Sequence, residues 1–332
     1  MARFSGHAFR RAHLEWRRTA QPVNSPAGYN ERMPIKLIAM DIDGTLLSSS
    51  GELPEENVRA VTEAAARGIE IVIVTGRRFA SARTIADALA CDAHVIASNG
   101  ALIKSQSGET HWRRLLPASV ARQVLEASPE HRALTGVIFD RPRERQVIFE
   151  RIDWEGPLIG PYLRRHREQV AEVTPLTDCL DGDDPVEILF LGECAAMRSA
   201  MRKLESLPIA GDYQLALTEY EHRNLSMLDV LQRGVSKGAA LAGWAAQRGI
   251  APQEVMAIGD NWNDREMLEF AGFPVVMANS VAPLKSLGWA ETLSNDECGV
   301  ACAIRKHVLE NTAFAESTSC AKIDRTQGGR DQ

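Results

Sequence analysis

Between Ile35 and Ser98 the chain alternates short apolar runs with amphipathic stretches. Residues 35–40 read as a buried strand, and "PEENVRAVTEAAARG" then carries apolar positions at helical spacing until Gly68 closes it. "IEIVIV" is a β-branched run with no polar alternation, the pattern of a strand covered on both faces inside a parallel sheet. The helix "RFASARTIADALA" and the strand "HVIAS" complete a β-α-β-α-β order, which is half of a doubly wound sheet.

The pattern changes between about Gly108 and Arg233. Short alternating strands appear there ("LTGVIFDR", "RQVIFER", "VEILFLG", "YQLALTEY", "LSMLDVL"), with helices "ASVARQVLEAS" and "AAMRSAMRKLESL" among them. The turn "DRPRER" joins the first two as a hairpin, so the block reads as α+β with an antiparallel sheet. After Gly234 the α/β rhythm resumes with the helix "SKGAALAGWAAQRG", the strand "EVMAIG", the helix "DREMLEFAG" and the strand "PVVMA". The predicted fold class is therefore α/β: a doubly wound, Rossmann-like parallel sheet in two sequence pieces, with an α+β insertion. The predicted divisions are a basic extension at 1–33, core parts at 34–112 and 231–312, the insertion at 113–230 and a tail at 313–332. Extension and tail read as disordered from their composition, or the extension as the product of a start placed upstream of Met33.

Composition narrows the function. Of 332 residues, 45% are hydrophobic and 25% charged, as in globular proteins, and no apolar run is long enough to span a bilayer. The net charge is -6, yet the first 32 residues carry Arg3, Arg10, Arg11, Arg17, Arg18 and Arg32 against Glu15 and Glu31. The body is thus more acidic than the total, which argues against nucleic acid as a partner. The six cysteines lack the spacing of a zinc site or a disulfide framework and fit a reducing cytoplasm. The reading is a cytoplasmic monomer or small homo-oligomer with no membrane partner.

The chemistry-bearing residues sit where apolar strands end: "AMDIDGT", "VIVTGR" and "AIGDNWND". In a doubly wound sheet, ligands bind beyond the carboxyl ends of the strands, at the point where the winding reverses. If the resumed strand pairs on the open side of the first, Asp41 and Asp260 face each other there. Alone, an aspartate after a strand is usually a turn or cap residue. Asp41, Asp43 and Asp260 together would form an oxygen-rich pocket for a hard cation such as Mg²⁺. Lys237 falls in the first turn of a helix after the cap Ser236, where its charge opposes the helix dipole unless an anion lies near. The hydroxyl of Thr75 and the amides at Gly76 and Arg77 are suited to phosphate oxygens. The stretch from Asn263 to Glu266 has capping-box spacing, which gives Asn263 and Glu266 a structural reading as well. Carboxylates, a divalent cation, a lysine and a hydroxyl are the set that transfers a phosphoryl group through an aspartyl-phosphate.

DxDGT at Asp41 to Thr45, the strand-end Thr75, Lys237 and GDxxND at Gly259 to Asp264 occur in an order that resembles the haloacid dehalogenase superfamily. The likeness is to its Cof-type phosphatases with a large α/β (C2-type) cap, and it covers the chain from Ile35 to about Glu310. The resemblance implies that Asp41 attacks phosphorus while Asp43 protonates the leaving oxygen and then activates water. It implies Mg²⁺ held by Asp41, the backbone carbonyl of Asp43 and Asp260, with Asp264 in support. Thr75, Gly76, Lys237 and Asn263 would bind the phosphoryl group. The insertion would be the cap, hinged near "SNGALIKS" and "LQRGVSK". Its residues Arg141, Arg151, His222 and Arg223 are candidates to face a substrate, though each reads first as solvated surface. The expected function is a Mg²⁺-dependent phosphatase of small phosphomonoesters such as sugar phosphates. The rival readings are a phosphomutase of the phosphomannomutase type and a noncatalytic sugar-phosphate-binding protein.

Overall fold

β1 (Leu37–Met40) is apolar and buried at every position, so it needs a strand on either side and a helical layer over each face. The computed structural model describes residues 34–156 and 159–310; the predicted extension and tail lie outside the described residues. After β1 come α1 (Glu55–Ala66), β2 (Glu70–Val74), α2 (Phe79–Asp87) and β3 (Ala93–Ala97). β2 pairs in parallel with β1, and β3 with β2, in the order the periodicity predicts. β4 (Leu102–Ser105) and β5 (Thr110–Arg113) then extend the same edge antiparallel. The first predicted hinge segment is thus partly strand. Four residues of "LIKS" are too short a run to declare a period, and only the pairing with β3 makes them one.

The chain leaves this sheet at residues 114–117 and builds a second one. Its strands are β6 (Thr135–Ile138), β7 (Val147–Phe149), β8 (Val170–Glu172), β9 (Glu187–Gly192), β10 (Tyr213–Tyr220) and β11 (Leu225–Gln232). Their spatial order is β10-β11-β9-β6-β7-β8. β6 and β7 form the predicted hairpin, and every neighbouring pair is antiparallel except β7 with β8. β8 has only three residues, none fully buried, and no apolar alternation announces it. α3 (Ala118–Ala127) and α5 (Cys194–Glu205) bury Ala121, Val124, Leu125, Met197, Ala200 and Leu204 against one face of this sheet. The short α4 (Gly160–Arg165) lies between β7 and β8 in sequence.

The chain returns at residues 233–236 and continues through α6 (Lys237–Arg248), β12 (Val255–Gly259), α7 (Arg265–Phe270), β13 (Phe273–Val276), α8 (Ala282–Lys285), β14 (Ala290–Glu291) and α9 (Gly299–Ile304). β12 lies beside β1 in parallel, on the side away from β2, with Met40 opposite Ile258. The eight-stranded order is β14-β13-β12-β1-β2-β3-β4-β5. Ile38 and Met40 pack with α1 and α9 on one face, and Leu37 and Ala39 with α6 and α7 on the other. The winding reverses between β1 and β12, so the crevice at their carboxyl ends is the expected place for a ligand. The protein is thus α/β, with a parallel-centred sheet and a second, mostly antiparallel one. No helix among the described residues is long and apolar enough to cross a membrane.

Candidate active site

Asp41 continues β1, and its amide donates to the carbonyl of Ile258 on β12 at 3.1 Å. Ile42 buries its side chain completely, while its carbonyl accepts from the amides of Leu46 and Leu47, both at 3.0 Å. This anchor turns the loop so that Asp41 lies buried and Asp43 half-exposed. Gly44 has φ +81°, and a Cβ there would lie 2.4 Å from Oδ2 of Asp260. Thr45 follows and donates through Oγ1 to Oδ1 of Asp260 at 2.9 Å. Gly44→Ala combines a left-handed backbone with this collision. It is expected to destabilise the fold by about 1–3 kcal/mol, measured by urea denaturation; an unchanged midpoint would show that the loop absorbs the methyl group.

Asp260 continues β12, and the chain folds back sharply after it. A Cβ at Gly259 would sit 2.7 Å from that of Asp264, so only glycine lets the turn close. Oδ2 of Asp264 accepts from the amides of Asp260 and Asn261, each at 3.0 Å. The capping box is therefore formed by Asn261 and Asp264, two residues before the predicted one. Glu266 instead accepts a hydrogen bond from Ser236, and the Asn263 amide donates to Oδ1 of Asn99 at 3.2 Å.

Ser236 caps α6, accepting from the Ala239 amide at 3.1 Å, and thereby starts the helix at Lys237. Lys237 is only 2% exposed, and its Nζ donates to Oδ1 of Asp41 at 2.6 Å and Oδ1 of Asp264 at 2.5 Å. These are the anions its place in the first turn requires. Burial opposes the charge on Lys237, but Asp264 and Asp41 outweigh it and hold the ammonium above its ordinary pKa. Burial also pushes the Asp41 carboxyl up to about 7; Lys237 counters this, and Asp264 and Asp43 add to it. Asp260 is raised well above the usual carboxylate range by burial, then by Asp41 and Asp264.

Carboxylate oxygens of Asp41, Asp260 and Asp264 lie within 4.8 Å of one another. Three buried carboxylates against one lysine leave a deficit of positive charge, and an all-oxygen donor set suits a hard cation. The fit to Mg²⁺ thus rests on charge and donor chemistry.

Thr75 directly follows β2 and is buried, and its Oγ1 accepts from the Arg77 amide at 3.1 Å. Gly76 follows, close against the Asn99 side chain. Arg77 makes a contact that spacing could not reveal. Its Nε donates to Oδ2 of Asp43 at 2.7 Å and its Nη2 to Oδ1 at 2.6 Å. The second sheet also reaches the site. The Asn261 amide donates to the carbonyl of Glu219 at 3.3 Å, and next along β10 Tyr220 is close enough to the acid cluster to sense it. Burial raises the Tyr220 phenol above its ordinary pKa, and Asp43, Asp41 and Asp260 raise it further. Of the polar residues noted in the insertion, Arg151 and Arg223 are exposed, and Arg141 pairs with Asp183 at 3.1 Å. The side chain of His222 lies outside the described residues.

A reversal point carrying buried aspartates and a lysine defines a phosphoryl-transfer class of protein. The chain belongs to the haloacid dehalogenase-like hydrolases, whose family model matches residues 38–304. It is similar to phosphatase YwpJ of Bacillus subtilis (strain 168), with 30% identity over 291 residues, 83% of this chain and 100% of the relative. It is also similar to 5-amino-6-(5-phospho-D-ribitylamino)uracil phosphatase YcsE of the same organism, with 29% identity over 280 residues, 84% of this chain and 98% of the relative. Among solved structures, a haloacid dehalogenase-like hydrolase from B. subtilis superposes with a TM-score of 0.69 at 28% identity, covering 82% of this chain and 99% of that one. The protein is accordingly a Cof-type hydrolase of phosphoric monoesters.

Proposed function

We propose that the protein is a Mg²⁺-dependent phosphatase of small phosphorylated metabolites, working through an aspartyl-phosphate on Asp41, with sugar phosphates the first substrates to test. The observation that carries this reading is the buried Asp41–Lys237–Asp264 chain with Asp260 beside it. Asp41, Asp260 and the backbone carbonyl of Asp43 would hold Mg²⁺, with Asp264 fixing Lys237 and the Asp260 amide behind them. Bound there, the ion would neutralise carboxylate and phosphoryl oxygens as a Lewis acid.

Thr75, the amide of Gly76, Lys237 and Asn263 bind the phosphoryl oxygens. Asp41 forms a bond to phosphorus as the bond to the leaving oxygen breaks, and Asp43 gives that oxygen its proton. Asp43 then takes a proton from the water that attacks phosphorus, releasing phosphate and freeing Asp41. To do this, Asp43 must leave at least one of its two bonds to Arg77.

The second sheet, whose last strand runs to Gln232, two residues past the insertion predicted at 113–230, serves as the cap. A cavity of about 890 Å³ opens beside Lys237, between β10 and the 261–266 turn, and its size suits a small metabolite. The protein acts in the cytoplasm as a monomer or small homo-oligomer. Cys91, Cys179, Cys194, Cys298 and Cys302 are free thiols, which supports a reducing compartment.

A panel of phosphate esters assayed with Mg²⁺ or EDTA tests the reading. Turnover is expected only with the metal, and Mg²⁺ at a hundred times its Kd is expected to stabilise the fold by about 2.7 kcal/mol. Equal turnover in EDTA would exclude the metal role. Phosphate retained on a bisphosphate would identify a mutase, and Mg²⁺-supported binding without hydrolysis would identify a noncatalytic binding protein.

A further inference from the structure

Ser98 and Asn99 follow β3 with φ of 47° and 50°, two consecutive side-chain-bearing residues in the left-handed region. Such backbone is uncommon; asparagine tolerates it, but serine does so only at a cost that surrounding bonds must offset. Those bonds run in two directions. Toward the site, the Asn99 amide donates to the Thr75 carbonyl at 3.0 Å, and the Ser98 amide to the Arg77 carbonyl at 2.9 Å. Asn99 Oδ1 accepts from Asn263. Gly100, at φ +105°, completes the turn, and a Cβ there would lie 2.3 Å from the Ser236 carbonyl, just before Lys237. Three residues thus brace the backbone of the phosphate-binding loop, the Asn263 turn and the start of the Lys237 helix.

Toward the second sheet, Asn99 Nδ2 donates to Oδ2 of Asp229 at 2.9 Å, and Ser98 Oγ to Oε1 of Glu187 at 2.9 Å. Asp229 lies on β11 and Glu187 on the adjacent β9, offset by two residues in register. Glu187 is 1% exposed and Asp229 6%, each the one carboxylate of a mostly apolar strand. Oε2 of Glu187 has no hydrogen-bond partner. Burial pushes Asp229 up to about 7, against the Asn99 bond and Lys237. Burial and Asp229 raise Glu187 well above its usual range, against Ser98 and Arg78. Carboxylates so placed have no role in the core of their own sheet; what they meet is the turn at Ser98 and Asn99.

We propose that Asn99 is a positioning residue that couples the seating of the second sheet to the geometry of the phosphate site, with Asp229 as the group it senses. When β11 is seated, Asp229 holds the Asn99 side chain, and Asn99 holds Thr75 and Asn263 where a phosphoryl group needs them. When the sheet lifts, the bond is lost and the turn is free to relax. Phosphate binding and cap closure then favour each other. This rests on the phosphatase reading in so far as Thr75 and Asn263 are taken to hold phosphoryl oxygens.

The test compares Asn99→Ala, Asp229→Ala and Asp229→Asn with Mg²⁺ and acetyl phosphate, a donor too small to depend on leaving-group contacts with the cap. Asp229→Asn and Asp229→Ala both remove the charge near Lys237, but only the asparagine keeps an acceptor for Asn99. The expected result is a loss of about tenfold or more in kcat/KM for Asn99→Ala and Asp229→Ala, no further loss in the double variant, and rescue by Asp229→Asn to within about threefold of the parent. Additive losses, or an asparagine variant as impaired as the alanine one, would overturn the proposal. Hydrogen exchange read at the Arg77 and Asn99 amides separates this from failure of the phosphatase reading. Faster exchange in Asp229→Ala but not in Asp229→Asn sustains the coupling even if no ester is turned over, and unchanged exchange in both refutes it.

Discussion

Asp41→Asn is expected to lower kcat by at least about a thousandfold, a loss of about 4 kcal/mol in transition-state stabilisation. The substitution keeps the shape of the side chain and an oxygen to accept from Lys237, so it removes the nucleophile while leaving the packing. Its effect on stability should run the other way. The Asp41 carboxyl is raised from 3.8 to about 7 in the fold, so its protonated form is favoured there. Its contribution is fully present below the unfolded value and is lost as pH rises through about 7. In EDTA, Asp41→Asn should therefore be less sensitive to pH between 4 and 8 than the parent, with equal or greater stability at pH 8. Turnover of the ester panel with Mg²⁺ and melting curves across that range check both halves. Undiminished turnover would remove Asp41 from the mechanism.

Lys237→Met is expected to be the most destabilising single change at the site, by about 3–5 kcal/mol in EDTA, because it strands two buried carboxylates that share one ammonium. Methionine approximates the length of the stem, so the loss reads the charge rather than a cavity. Mg²⁺ should restore part of the stability by supplying positive charge to the same oxygens, while turnover stays at least about a hundredfold low for want of the phosphoryl contact. Lys237→Arg should not rescue activity: oxygens at 2.6 and 2.5 Å on either side of one nitrogen fit a point charge and not a planar fork. Urea titrations with and without Mg²⁺ measure the effect, and a midpoint unchanged in EDTA would mean that the carboxylates lose their charge without cost.

What was legible in the sequence follows from how the information is carried. Strands buried on both faces announce themselves as unbroken apolar runs, so the placement of β1, β2 and β12 could be read, and with it the meeting of Asp41 and Asp260. Lys237 was conspicuous because its charge is wrong for its place in a helix unless anions stand by. Arg77 was seen only as part of a strand end; its pairing with Asp43, 34 residues away, exists only in three dimensions. Capping-box spacing fits residues 263–266 as well as 261–264, and the close approach at Gly259 decides for the earlier pair. Strands β4 and β8 are too short to have a period. Asn99 carries a local sign, since Asn-Gly marks a turn and asparagine tolerates the left-handed region, but nothing local tells that its side chain meets Asp229. Glu187 and Asp229 carry one as well: each is a lone carboxylate in a mostly apolar strand, a pattern that asks for a partner outside the sheet.

The place of β1 between β2 and β12 bears on how the chain comes off the ribosome. Lys237 lies 196 residues after Asp41, and β12 follows later still. Until that last stretch emerges, β1 has one paired edge and one open edge, with its apolar residues unshielded on that side. The second sheet, drawn from one continuous stretch ending at Gln232, has all its strands in hand earlier. The inserted sheet is therefore the unit positioned to fold first, and the eight-stranded sheet is completed last. A message cut short before β12 yields a half-sheet with an exposed sticky edge, so the nascent chain's vulnerable interval is set by the length of its own insertion.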